Sequence, residues 1–305
     1  MNASEAEVVY RELKAKAHSQ SRLEAHGFKM KSDSNVSTKN VRQIATFQQT
    51  PEVESPFAMP SRVVALDCEM VQVAGGAHEL AFLAAIDFFT GKVLINNYVK
   101  PLHPVVNWLT PWSGLTEQGM DWAIANGLAI YGWHAAREVL WQVIDDKTIL
   151  VGHSLQNDLN VLGIIHRRVV DSALITAEAV WPEHPPSKRF PRIWSLKNLT
   201  RWLLGYDIQN GWGHSALEDA CASRNVVRWC LRHPDGLRAW AEWSLAEEER
   251  KAQAIRERRK QQKANDKARK EAKMKAAKAK AAPGVARLNR TRALVPESIR
   301  LLIPY

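Results

Sequence analysis

Cysteine is scarce in this chain. Its three cysteines, Cys68, Cys221 and Cys230, in 305 residues are too few and too scattered for a disulfide framework or a zinc-ligand set, which points to a reducing, intracellular setting. Long apolar runs are missing as well: none reaches the roughly 18 residues of a membrane-spanning helix. Residues Met1–Glu5 show no basic stretch leading into an apolar one, so neither a secretory leader nor a membrane partner is expected. Acidic residues are rare in one place only. Between Arg250 and Lys280, fourteen Lys and Arg face three acidic residues, Glu257, Asp266 and Glu271. The rest of the chain holds 28 basic and 29 acidic residues, so the net charge of +10 belongs to that segment and not to the body.

What is present has a clear order. Residues 1–58 are mostly polar, with a helix-like stretch near Glu5–Ala17, and read as a weakly ordered N-terminal arm. Residues 59–236 read as the main domain. Arg62–Val73, Glu79–Asp87 and Lys92–Val99 are β-rich runs separated by Gly75-Gly76 and Thr90-Gly91, a three-strand antiparallel meander. Helical patterns follow near Ala135–Ile144, Leu155–Leu162, Ser195–Leu204 and Ala216–Leu231, with short strands at Thr148–Val151 and Val169–Val170. Strands first, then strand–helix alternation, predict an α/β domain: a mixed sheet with helices on its faces. Pro234-Asp235-Gly236 is expected to close it. Residues 237–282 predict a basic, solvated helix that Pro283-Gly284 ends, and 283–305 a C-terminal tail.

Five residues in three clusters carry the chemistry: Asp67 and Glu69, then Asp158, then His214 and Asp219. Side chains alternate faces along a strand, so Asp67 and Glu69 point the same way and can reach a common cation. Two carboxylates on an otherwise apolar strand repel each other and desolvate at a cost unless cations compensate them. Asp158 sits beside the Leu155/Leu159/Leu162 stripe of its helix, at the border of the buried face. Ser215-Ala216-Leu217-Glu218 has the capping-box form, which makes His214 and Asp219 the N′ and N4 positions that pack together across a helix start. Singly, each cluster has an ordinary explanation: a strand end facing water, a polar residue flanking a core stripe, a capped helix with an incidental histidine. Together, in this order within one α/β domain, they read as a phosphodiester-cleaving site.

The stretches Ala65-Leu66-Asp67-Cys68-Glu69-Met70, Val151-Gly152-His153-Ser154-Leu155-Gln156-Asn157-Asp158-Leu159 and His214-Ser215-Ala216-Leu217-Glu218-Asp219-Ala220 resemble the three motifs of the DEDDh 3′–5′ exonucleases. Within that group the chain looks closest to the branch of RNA exonuclease 4 and the interferon-stimulated exonucleases. Thr110-x-x-Ser113-Gly114-Leu115, Ser195-Leu196-Lys197-x-Leu199 and Ile208-Gln209 strengthen the likeness, which covers about residues 60–232. Gln72, and Asn107-Trp108-Leu109 before Thr110, depart from the pattern of that branch. The resemblance implies a ribonuclease-H-like fold with a mixed five-stranded sheet flanked by helices. It implies that Asp67, Glu69, Asp158 and Asp219 hold two divalent cations, Mg²⁺ or Mn²⁺, with no small-molecule cofactor, and that His214 is the general base. The implied substrate is the 3′ end of single-stranded RNA and the implied products are nucleoside 5′-monophosphates. Ribosomal RNA processing in the nucleus or nucleolus follows, with ribosome-assembly proteins as candidate partners. The alternatives are a 3′–5′ exonuclease acting mainly on DNA and an inactive nucleic-acid-binding module. For substrate contacts, Met70, Trp112 and Ser113 are the candidates; the proline-rich stretch Trp181–Pro191 reads as a loop near the site, and His153 as ordering the turn before the Asp158 helix. The basic segment reads as a solvated face, an RNA-attracting arm or a nuclear address.

Overall fold

The computed structural model describes residues 2–31, 46–52 and 61–281; the expected tail at 283–305 and the Pro283-Gly284 helix stop lie outside them. In chain order the elements are α1 (Ala3–Lys16), α2 (Gln20–Ala25), β1 (Gln48–Gln49), β2 (Val63–Val73), β3 (His78–Asp87), β4 (Val93–Lys100), β5 (Val105–Asn107), α3 (Thr110–Ser113), α4 (Glu117–Ala125), β6 (Ala129–Tyr131), α5 (Gly132–Trp141) and β7 (Ile149–Gly152). There follow α6 (Gln156–Leu162), β8 (Ile164–Ile165), β9 (Val169–Asp171), α7 (Ser172–Val180), α8 (Leu196–Leu199), a π turn at Thr200–Leu204, α9 (Ala216–Arg232) and α10 (Pro234–Ala281).

The central sheet runs β6-β4-β3-β2-β7-β9, with β5 added to the far end of β2. β2–β3–β4 is the antiparallel meander read from the sequence, whereas β2–β7–β9 and β4–β6 pair in parallel. The fold is therefore the expected mixed α/β, ribonuclease-H-like one, with helices against the sheet. Its sheet has seven strands rather than five. The two extra ones, β5 and β6, are three residues long, too short for an alternating pattern to register. β2 is the hub. Its first half is buried between β3 and β7 and reads as a continuous apolar run, as strands covered on both faces do.

The N-terminal expectation needs correction over its described part. Residues 2–30 are not a weakly ordered arm: α1 and α2 bury Val9, Leu13 and Leu23, and Phe28 and Met30 join the same core. The His18 N–H donates to Val169 O (3.0 Å) and the Asp171 N–H to His18 Nε2 (3.0 Å), so this segment covers the otherwise open edge of β9. Arg22 donates to the carbonyls of His184, Pro185 and Lys188 at 2.8–3.1 Å, pairs with Glu178 at 3.3 Å and lies over the Phe190 ring. It thus fastens the proline-rich stretch whose end, through the stacked Trp181 and Trp194, leads into α8. Few apolar residues on short, mostly polar helices hid this layer from composition alone.

A second correction concerns residue 234. Pro234-Asp235-Gly236 does not end the chain's helical course; Pro234 begins α10, where a proline's missing N–H costs nothing. The chain divides into two compact units, Met1–Ala246 and Glu247–Tyr305. The first includes the start of α10, whose Trp240, Ala241 and Ser244 are buried. In the second, the described side chains from residue 249 to 277 are all exposed, as expected for a solvated basic helix. No helix among the described residues is long and apolar enough to cross a membrane.

Candidate active site

The site sits where β2 outruns its neighbour. β7 pairs with Val63–Ala65 of β2 and then stops at Gly152. Beyond it the chain turns through His153–Leu155 into α6, and the gap opens at the carboxyl ends of diverging strands, the usual place for a ligand crevice in such sheets. A Cβ on Gly152 would fall 2.6 Å from Leu155 Cδ1 and 3.1 Å from the Leu66 carbonyl, so this tight exit leaves little room for a side chain. The Cys68 N–H, which β7 no longer reaches, donates instead to Asp158 Oδ1 at 2.7 Å. Asp158 is thereby held at 3% exposure against the strand that carries Asp67 and Glu69.

The turn feeding α6 is itself anchored. The wholly buried Asp171 accepts the N–H groups of Ser154 (3.1 Å) and Leu155 (2.8 Å) and also caps α7 through Ala173 (2.8 Å). Ser154 takes a left-handed backbone (φ 55°) to make the turn. His153 Nδ1 lies 2.8 Å from Ser172 Oγ, in keeping with the expectation that this histidine orders the turn. Its ring also lines the crevice, and burial lowers its proton affinity despite the nearby Asp171.

The third cluster is placed by two backbones in contact. Ser215 caps α9, its Oγ accepting the Glu218 N–H at 3.4 Å. The other half of the capping box is not made: Glu218 Oε2 accepts the Gln209 N–H at 2.9 Å instead. The His214 N–H donates to Trp112 O at 2.7 Å. Gly114 and Gly213 are in such close approach that a Cβ on Gly213 would fall 2.4 Å from Gly114 Cα. The Thr110–Leu115 loop therefore braces the histidine loop. His214 Nδ1 comes to rest 3.6 Å from Asp219 Oδ2, the pairing the N′/N4 argument predicts.

All five sequence-selected residues line one cavity of about 350 Å³. Cys68, Met70, His153, Asn157, Ser195, Leu196 and Gln209 complete its wall. Ligand atoms of Glu69, His214 and Asp219 lie within 4.8 Å of one another. Of the suggested substrate contacts, Met70 lines the cavity but Ser113 does not. Ser113 is 3% exposed, its Oγ donating to Trp108 O (2.7 Å) and accepting the Leu115 N–H (3.1 Å), so its hydroxyl is consumed in shaping the loop. Trp112 is outside the wall but 62% exposed beside it in sequence, and Trp212, on the histidine loop, is 97% exposed. The Trp181–Pro191 stretch stays outside the wall; Ser195 and Leu196, just after it, are in it. Gln209 lines the cavity as well, although the sequence marks it only through Ile208-Gln209 in the family resemblance.

The electrostatics are those of crowded carboxylates. Burial, then Asp158, Asp219 and Glu69, raise the Asp67 pKa well above the ordinary range. Glu69 is pushed up to about 9 by burial and then by Asp219 and Asp158. Burial also raises Asp158, against the Cys68 hydrogen bond, and Asp219, against Gln209 and His214. Among the described residues, Glu69 Oε1 and Asp219 Oδ1 are buried without a hydrogen-bond partner. Hard oxygen donors, unpartnered and mutually repelling, fit divalent cations such as Mg²⁺ or Mn²⁺.

This arrangement has a consequence for stability. Folded Glu69 keeps its proton up to about pH 9, and Asp67, Asp158 and Asp219 hold theirs above the ordinary carboxylate range in which the unfolded chain sheds them, so stability falls as pH rises from that range to about 9. Buried neutral His26 and His166, lowered to about 4, act in the opposite sense only below about pH 6.5. Thermal melts in chelator are therefore expected to decline from pH 7 to pH 9, and saturating Mn²⁺ to remove the decline. A flat chelator profile over that range would show that the cluster is not crowded in solution.

No protein-family model matches this chain. It is 33% identical over 172 residues to RNA exonuclease 3 of Candida albicans, covering 56% of this chain and 39% of that protein. It is 36% identical over 166 residues to small RNA degrading nuclease 2 of Arabidopsis thaliana, covering 54% and 34%. Apoptosis-enhancing nuclease of Rattus norvegicus is 35% identical over 180 residues, covering 57% and 50%. The chain thus spans about a third to a half of the length of these curated relatives. Among solved structures it is similar to the Neurospora crassa Pan2 catalytic unit of protease and nuclease domains, with TM-score 0.51 and 22% identity over 71% of this chain and 33% of that one. The Saccharomyces cerevisiae Pan2 pseudoubiquitin hydrolase–RNA exonuclease module in complex with AACCAA RNA gives TM-score 0.52 and 20% identity, covering 75% and 38%. At these identities the structures share a fold with this chain.

Proposed function

We propose that this chain is a divalent-metal-dependent 3′–5′ exoribonuclease of the DEDD group, releasing nucleoside 5′-monophosphates from RNA 3′ ends. The observation that carries the reading is the convergence of Asp67, Glu69, Asp158, His214 and Asp219, chosen from three separate stretches of sequence, on a single cavity. Relatives named as RNA exonucleases and small RNA degrading nucleases support it. Asp67, Glu69, Asp158 and Asp219 would hold the cations. Two such ions held by these carboxylates would supply Lewis acidity for the attacking water and charge stabilisation at the leaving 3′ oxygen. His214, on a braced loop and 38% exposed at its side chain, takes the proton of the attacking water. Asp219, beside Nδ1, orients the imidazole and offsets the charge it gains. Met70 meets the terminal nucleotide from the cavity wall, and the exposed Trp112 offers a stacking face for a base.

Within the DEDD group, the motif stretches favour the branch of RNA exonuclease 4 and the interferon-stimulated exonucleases. The basic run at 250–280 supports a nuclear address, and that branch resemblance makes ribosomal RNA the substrate we propose. The deciding experiment incubates the protein with labelled single-stranded RNA and matched DNA, in Mg²⁺ or in EDTA. Metal-dependent release of mononucleotides from the RNA 3′ end is expected; full activity in EDTA would sink the mechanism, and faster trimming of DNA would reassign the substrate.

The basic helix adds one more expectation. Deleting residues 250–282 should leave turnover on short oligonucleotides close to wild type. Affinity for long RNA at low salt should fall about tenfold or more, with a shallower salt dependence, because phosphate contacts release counterions. Unchanged affinity for long RNA would remove any binding role from this segment.

A further inference from the structure

Asp219 is held asymmetrically. Its Oδ2 accepts a hydrogen bond from Gln209 Nε2 at 2.9 Å and lies 3.6 Å from His214 Nδ1, while its Oδ1 is buried with no partner. Gln209 is itself fixed at three points. Its N–H donates to Glu218 Oε2 (2.9 Å), its carbonyl accepts from Lys197 Nζ (3.0 Å), and its backbone is left-handed at φ 57°. Leu109, Ser154 and Gln209 are the non-glycine residues with positive φ among those described. A glutamine gains nothing from that conformation, which favours glycine. The side chain, not the backbone, is what this position requires.

We propose that Gln209 is a positioning residue for the candidate cation site: its amide engages Oδ2 of Asp219, fixes the carboxylate's rotation and reserves Oδ1 for the cation. The inference rests on the exonuclease reading, in which Asp219 is a metal ligand. The donated amide hydrogen also keeps Oδ2 where His214 can face it. Lys197 and Glu218 act one step further out. They hold the Gln209 main chain, and with it the reach of the amide.

Two substitutions separate this role from a merely structural one. Gln209→Gly removes the amide but relieves the left-handed backbone. Gln209→Leu removes the amide and keeps both the bulk and the strain. Mn²⁺ binding, followed by the electron-paramagnetic-resonance signal of free Mn²⁺, is expected to weaken about 10-fold or more in both, the scale seen when a partner of a metal ligand is lost. Melting temperatures in chelator should diverge, with Gln209→Gly at or above wild type and Gln209→Leu at or below it. Wild-type Mn²⁺ affinity in Gln209→Gly would overturn the proposal. So would a loss confined to Gln209→Leu, or one matched by a lowered melting temperature in both variants, since either marks a loop-holding role. Wild-type protein that binds Mn²⁺ yet releases no nucleotide would overturn the exonuclease reading while leaving the Gln209 assignment intact.

Discussion

Asp158→Asn should lower metal-dependent nucleotide release by about 10³-fold or more, equivalent to roughly 4 kcal/mol of transition-state stabilisation, while making the metal-free protein more heat-stable. The two effects have one cause. Asp158 is 3% exposed and stands with Asp67, Glu69 and Asp219 around one cavity. Its ionised form is therefore unfavourable until cations arrive. Asparagine keeps the shape, and its Oδ1 can still accept the Cys68 N–H that Asp158 accepts at 2.7 Å, so the fold has no reason to suffer. It removes a hard anionic ligand and one source of repulsion together. The stability gain should grow as pH rises and vanish in saturating Mn²⁺. Turnover within tenfold of wild type would remove Asp158 from the metal set, and a lowered melting temperature in chelator would contradict the crowding.

The second large effect is expected at His214. His214→Ala should lower turnover by roughly 10²- to 10⁴-fold, the usual worth of a positioned general base. His214 lies within 4.8 Å of ligand atoms of Glu69 and Asp219, so cation coordination is the competing role for it. Mn²⁺ affinity tells the two apart. A base leaves it near wild type, whereas a ligand takes it down along with turnover. The second outcome would transfer His214 from proton transfer to metal binding.

The grouping of the five candidate residues was legible from local signals. Alternation in Val63–Val73 placed Asp67 and Glu69, the Leu155/Leu159/Leu162 stripe placed Asp158, and the Ser215 cap brought His214 beside Asp219. Each depends on residues a few positions apart, which is the range over which sequence pattern and geometry are tied. Features decided by distant partners were hidden. α7 is buried on almost every side, so it shows no amphipathic period. Ser113 looked available for substrate until the fold brought Trp108 O to its hydroxyl. Gln209 showed no polarity pattern of its own; its importance comes from Glu218, Asp219 and Lys197 meeting around it. The packing of the N-terminal helices was hidden for the same reason: a helix near Glu5–Ala17 was legible, but the partners of Val9, Leu13 and Leu23 lie far away in sequence.

That N-terminal layer bears on how the molecule can be divided. The curated matches span 166 to 200 residues, whereas the compact unit runs from Met1 to Ala246. The stretch shared with these relatives and the compact unit are thus different lengths. A fragment trimmed to residues 59–236 would carry every motif. It would also uncover the β9 edge and the apolar bed of Leu13 and Leu23, leave the loop carbonyls without Arg22, and strip Trp194 of its Trp240 neighbour. Such a fragment should come out of cells as aggregate, and its silence in an assay would report on the cut and not on the chemistry.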